Sequence, residues 1–103
     1  MNKEAGIQKW ARDRLQNEYG DYCVYIKYPA GQYSTRGVSD LIFCIHGLYV
    51  AIEVKTSVGA LTVLQSKFLY RITIAGGISR VIYGKDEQAM TKLIRAINSE
   101  RGI

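Results

Sequence analysis

Residues 38–55 read VSDLIFCIHGLYVAIEVK, and the way this stretch divides into two strands fixes the centre of the fold. The apolar run LIFCI at 41–45, with Val38 and Asp40 ahead of it, predicts a strand over 38–45. LYVAIEVK predicts a second strand over 48–55. His46-Gly47 between them is a two-residue turn signal of the kind that closes a β-hairpin. Strand side chains alternate, so Val50, Ile52 and Val54 share one face and Tyr49, Ala51, Glu53 and Lys55 the other. A two-residue loop pairs Ile45 with Leu48. Moving outward one residue at a time on both strands then sets Asp40 opposite Glu53, with Cα atoms roughly 4.5–5.5 Å apart. Lys55 lies diagonal to Asp40, within reach of a long side chain.

Upstream, Ile7, Trp10, Ala11 and Leu15 recur at helical spacing and predict a helix over 3–19, with Gly20 as its stop. YCVYIKY at 22–28 is aromatic and β-branched and predicts a strand, ended by Pro29. AGQYSTRG at 30–37 has no periodicity and reads as a loop. Downstream of the hairpin, TSVGAL is a loop. Thr62 with Gln65 three residues later forms a capping-box pattern. Leu64, Phe68, Ile72 and Ala75 give the helix that follows its expected apolar face, and Gly76-Gly77 its end. Residues 78–83 predict a fourth strand. Asp86 and Glu87 open a last helix with Ala89 or Met90, Leu93 and Ile97 inward. The order is α-β-β-β-α-β-α. It predicts an α/β fold in one domain over 1–103, a mixed four-stranded sheet flanked by helices. The fourth strand follows a helical crossover, which suits a parallel pairing with the third.

With 103 residues, 48% hydrophobic and 22% charged, the composition is that of an ordinary globular chain with one core. No apolar run is long enough to span a membrane, and MNKEAGIQKW has no apolar leader segment, so a cytoplasmic protein of a bacterium or phage-infected cell is the expectation. Cys23 and Cys44 form no CxxC pattern and read as reduced, buried thiols. A single histidine argues against a Cys/His zinc site. The net charge of +5 suits a phosphate-backbone partner without requiring one.

Two acids facing each other on a sheet repel, and proximity raises the pKa of one of them. A divalent cation resolves the conflict, because hard ions take carboxylate oxygens. It would also polarise a phosphate and acidify a bound water, which Lys55 could orient. The plainer alternative is a Lys55 salt bridge to both acids on a solvated face. The apolar flanks of AIEVK weigh against it.

Gly37 shortly before Asp40, then IEVK at 52–55, a glycine-containing loop, Leu61-Thr62 with Gln65, and Ala75-Gly76-Gly77 form an ordered set. It resembles the VRR-NUC (virus-type replication-repair nuclease) group of the PD-(D/E)xK phosphodiesterases, over about residues 3 to 83. The resemblance implies a restriction-endonuclease-like fold and Mg²⁺- or Mn²⁺-dependent hydrolysis of DNA. It implies Asp40, Glu53 and the Val54 backbone carbonyl as metal ligands, Lys55 on the attacking water, Glu4 as a further metal-site acid, and Gln65 in the site. Small members of the group act as homodimers on branched DNA, similar to junction resolvases. Ser39 departs from the proline common before the aspartate.

Several of these residues have a second reading. Glu4 also suits the first turn of a helix as a dipole-favouring acid, and Gln65 also serves the capping box. Lys27, Tyr33 and Arg36 interleave aromatic and basic groups ahead of Asp40, as Tyr25 and Tyr28 also do. With Lys67 they are candidates for nucleic-acid contact, or else an exposed strand edge and solvated loop. Eight tyrosines would suit a protein interface. The reading is a DNA endonuclease selective for branched DNA such as four-way junctions, acting as a homodimer. The alternatives are a nonspecific, site-specific or nicking nuclease of the same fold, or a nucleic-acid-binding module without catalysis.

Overall fold

The computed structural model describes residues 3–27 and 37–103. Helix α1 spans Lys3–Tyr19, and a 3-10 turn, Gly20–Tyr22, leads into strand β1, Cys23–Ile26. Strands β2, Leu41–Ile45, and β3, Leu48–Lys55, form the hairpin. Helix α2, Val63–Ile74, carries the chain to β4, Ile78–Tyr83, and helix α3, Glu87–Arg101, follows. This is the α-β-β-β-α-β-α order expected from the sequence. The sheet runs β1-β2-β3-β4, antiparallel except that β4 lies parallel to β3.

The hairpin has the expected register, with Ile45 opposite Leu48 and Leu41 opposite Ile52. His46 and Gly47 both have positive φ, 50° and 79°, as a two-residue turn matched to strand twist requires. The ladder stops one pair short of Asp40, however. β2 begins at Leu41 rather than at 38, so Asp40 and Glu53 do not face each other as a regular cross-strand pair. The backbone turns away at Asp40, whose amide donates to the Glu53 carboxylate instead of lying in the plane of the sheet. β1 is also shorter than expected. Tyr22 belongs to the 3-10 turn, where its ring stacks on His46 with centroids 4.5 Å apart. Tyr28 and Pro29 lie outside the described residues.

Alternation sorts the side chains into two layers. Leu41, Phe43, Ile45, Val50, Ile52 and Val54 point to one face and meet Ile7, Ala11 and Leu15 of α1 and Met90, Leu93, Ile94 and Ile97 of α3. Tyr19 ties the two helices, its hydroxyl donating to the Asn98 side chain at 2.8 Å. Burial, with the nearby Glu18 and Cys23, pushes that phenol up to about 12. On the other face a smaller cluster of Ile42, Ala51 and Leu69 packs under α2. The inward face of α2 is turned from the expected one. Leu69 is buried and Phe68 and Ile72 are half-buried, while Leu64 and Ala75 are exposed. That rotation puts Gln65 on the inward stripe, three and four residues ahead of Phe68 and Leu69. Cys23 and Cys44 are free thiols as expected, but Cys44 is only half-buried, since α2 does not cover that part of the sheet. Among the described residues, no helix is long and apolar enough to cross a membrane.

Candidate active site

Where β2 ends and β3 continues, the β3 backbone has polar groups with no strand beside them. Val54 offers its amide toward the missing stretch of β2, and Asp40 Oδ2 accepts it at 3.3 Å. In return the Asp40 amide donates to Glu53 Oε2 at 3.0 Å. Asp40 is thus tied to β3 twice, by its amide to the Glu53 carboxylate and by its carboxylate to the Val54 amide, which fixes both carboxyls at the end of the ladder. In a strand the amide and carbonyl of one residue face the same edge, so the Val54 carbonyl is also turned toward Asp40.

Glu53 lies on the α2 face of the sheet beside Ala51 and is 1% exposed. Gln65 reaches it from α2, Nε2 donating to Glu53 Oε1 at 2.6 Å. The capping box fixes the orientation of that amide. Thr62 donates its N–H to Gln65 Oε1 at 2.9 Å, and the Thr62 hydroxyl accepts the Gln65 N–H at 3.1 Å. The amide oxygen is therefore committed to the helix end, and only the NH₂ group is left to face the carboxylate. The capping-box reading of Gln65 holds, and the same side chain also contacts Glu53. Lys55 Nζ stands 3.7 Å from the same Glu53 oxygen. The following loop closes over its stem at Gly59, where an added Cβ would lie 3.2 Å from Lys55 Cβ.

Gly37 draws these parts together. Its φ is +81°, and a Cβ there would lie 2.7–2.8 Å from the backbone and Cβ of Leu64. Only glycine lets the chain leading to Asp40 pass this close to the first turn of α2. Asp40, on one side of that contact, and Gln65, on the other, converge on Glu53. Ser39, immediately before Asp40, is buried, its hydroxyl without a hydrogen-bond partner among the described residues.

Burial pushes Glu53 up to about 7, with the Asp40 charge adding to the rise and the Asp40 amide opposing it. Asp40 is also raised, first by burial and then by the charge of Glu4, against the Val54 amide and Lys55. Glu4, in the first turn of α1, is therefore close enough to be felt at Asp40. Among the described residues, no group of three or more His, Cys, Asp or Glu side chains is gathered to hold a metal ion. The two carboxylates and one main-chain carbonyl are hard oxygen donors, the set a water-retaining ion such as Mg²⁺ takes.

Of the four nucleic-acid candidates, two fall among the described residues. Lys27 is exposed just past β1, and Lys67 is exposed on α2, about 200° around the helix from Gln65. Tyr33 and Arg36 lie outside the described residues. Two contributions were not evident in sequence: the Gly37–Leu64 approach and the role of Thr62 in orienting Gln65 toward Glu53. The capping-box pattern was a signal for the second only once the face of α2 was known. Compared with models of known protein families and with curated proteins, the sequence matches none.

Proposed function

We propose that the chain is an Mg²⁺- or Mn²⁺-dependent endodeoxyribonuclease of the VRR-NUC type, with branched DNA as substrate and a homodimer as the working unit. The observation that carries this reading is the enclosed pair Asp40 and Glu53, each raised in pKa, with Lys55 3.7 Å from one of the acids. Two neighbouring acids whose ionisation burial opposes are costly to keep charged side by side unless a cation completes the site. The donor set fits one: Asp40, Glu53 and the Val54 carbonyl would hold it, with Glu4 acting from α1. Bound there, a divalent ion supplies Lewis acidity and a water of lowered pKa.

The chain's own residues do the rest. The Gln65 amide and the Asp40 N–H hold the Glu53 carboxylate in one orientation. Lys55 positions the attacking water and stabilises the charge that develops on the phosphoryl oxygens. A cavity of about 490 Å³, lined by Lys3, Ile7, Thr56, Ser57, Val58 and Gly84, adjoins the end of β3 and offers room for a phosphate flanked by hydroxyls and a cation. The protein is expected to work in the cytoplasm.

Purified protein is incubated with linear duplex, single-stranded and four-way-junction DNA, with Mg²⁺, with Mn²⁺ and with chelator. Metal-dependent cutting of the junction in symmetric pairs is the expected result. Lys55→Ala and Gln65→Leu should slow it, the former by about 10²-fold or more. Absence of cutting under every metal condition overturns the nuclease reading, and binding without cutting selects a catalytically silent DNA-binding module. Uniform cutting of linear duplex removes the junction preference.

A further inference from the structure

Arg12 sits on α1 beside β1, away from the carboxylates, and is half-buried. Its guanidinium lies over the Tyr25 ring, 5.3 Å from the centroid. Its Nε is enclosed and has no hydrogen-bond partner among the described residues. The nearby arginine on the same helix behaves differently, Arg14 pairing with Glu87 at 3.2 Å. The acid closest in sequence, Asp13, is engaged by Lys9 at 2.7 Å. Arg12, Lys9, Asp13, Gln16, Tyr25 and Phe43 together line an open cleft of about 290 Å³.

A guanidinium held over an aromatic ring, with its Nε unpartnered among the described residues and the neighbouring Asp13 already engaged by Lys9, is open to an incoming acceptor. The planar fork matches two oxygens of a phosphate, and the ring supports the cation from behind. A carboxylate ligand would meet the same fork, but the position of the cleft favours a polyanion. Arg12 is eight residues along α1 from Glu4, about 12 Å at 1.5 Å per residue. Phe43, which lines the cleft, is three residues along β2 from Asp40, about 10 Å by strand rise. Both routes place the cleft on the order of 10 Å from the end of β2 where Asp40 sits, a distance that one DNA backbone spans within a few phosphates.

We propose that the cleft between α1 and β1 is a backbone subsite, in which Arg12, backed by Tyr25, takes a nucleic-acid phosphate flanking the one at Asp40 and Glu53. The proposal rests on the nuclease reading above and adds a contact that the acids do not supply. Because it is a phosphate contact, it adds affinity without sequence preference and carries about one unit of salt dependence.

The test uses the full chain with a fluorescein-labelled 20-base-pair duplex, by anisotropy across a salt series, in chelator so that nothing is cut. Arg12→Gln should weaken binding about 5- to 20-fold and lower the slope of log affinity against log salt by about one. Arg12→Lys should recover part of the affinity. Arg101→Gln, which removes the same charge from the far end of α3, should change affinity less than 2-fold. In the wild-type protein the Arg12 Nε–H resonance should shift as unlabelled duplex is added, which gives a readout if the variants fold poorly. An unchanged affinity and slope in Arg12→Gln, or a static Nε–H resonance while the wild type binds or cuts DNA, overturns the subsite alone. A wild type that neither binds nor cuts DNA overturns the parent reading and the subsite with it.

Discussion

At the scale of single residues, Glu53 carries a conflict that the rest of the site has to manage. The unfolded chain releases its proton near the ordinary value of 4.5, whereas burial holds the folded group up to about 7. Between those values the folded state binds more protons than the unfolded one. The corresponding stability is fully present below pH 4.5 and is lost as pH rises through 7. Asp40 shifts in the same direction. The metal-free protein should therefore melt lower at pH 8 than at pH 5.5. A loss on the order of 1–2 kcal/mol corresponds to about 5–10 °C for a chain of this size. Mg²⁺ or Mn²⁺ should restore much of the loss at pH 8 and little of it at pH 5.5, where protons compete for the same oxygens. Glu53→Gln should flatten the pH dependence and remove the response to metal. Thermal unfolding followed by circular dichroism, in chelator and with added metal, reads all of these. A melting temperature independent of pH across the window would show that the pair does not carry this cost.

At the scale of elements, the site depends on two ends meeting: the start of β2 and the first turn of α2. Neither end is regular. β2 gives up its ladder at Asp40 to satisfy Val54 and Glu53, and α2 spends its capping residues on aiming Gln65. Gly37 is the point of closest approach, and Gly37→Ala should be among the more damaging single changes in the chain. The new methyl would meet the Leu64 backbone at 2.7–2.8 Å in a conformation, φ +81°, that alanine rarely takes. Backbone on both sides leaves little room to relax. The expected cost is about 2–4 kcal/mol in chemical denaturation. The variant should also lose cleavage at temperatures where it is still folded, because Asp40 moves relative to Glu53. A variant of wild-type stability and activity would mean that the two segments part easily.

At the scale of the whole molecule, three layers form: α1 and α3, the sheet, and α2. The larger core lies between the sheet and the helix pair. The α2 side is thinner and leaves apolar surface open, including Val24 on β1 and Val63, Tyr70 and Ile74 on α2. In the paired-cut reading the working unit is a dimer, and light scattering at assay concentration should give twice the chain mass of 11.6 kDa. A monomer that still cuts junctions in symmetric pairs would rule out the dimeric mechanism. The sequence by itself determined the element order, because each element carries its own periodicity, cap or turn. It also determined the hairpin register, because a two-residue turn closed by Gly47 allows one pairing. From that register it determined that Asp40, Glu53 and Lys55 gather in one place. What only the tertiary structure decided is how they meet. The end of the ladder at Asp40, the rotation of α2 that turns Gln65 inward, and the approach of Gly37 to Leu64 all depend on packing between segments distant in sequence. No local pattern encodes such contacts: each is settled by which backbone groups are left without a strand neighbour and how closely two chains can pass.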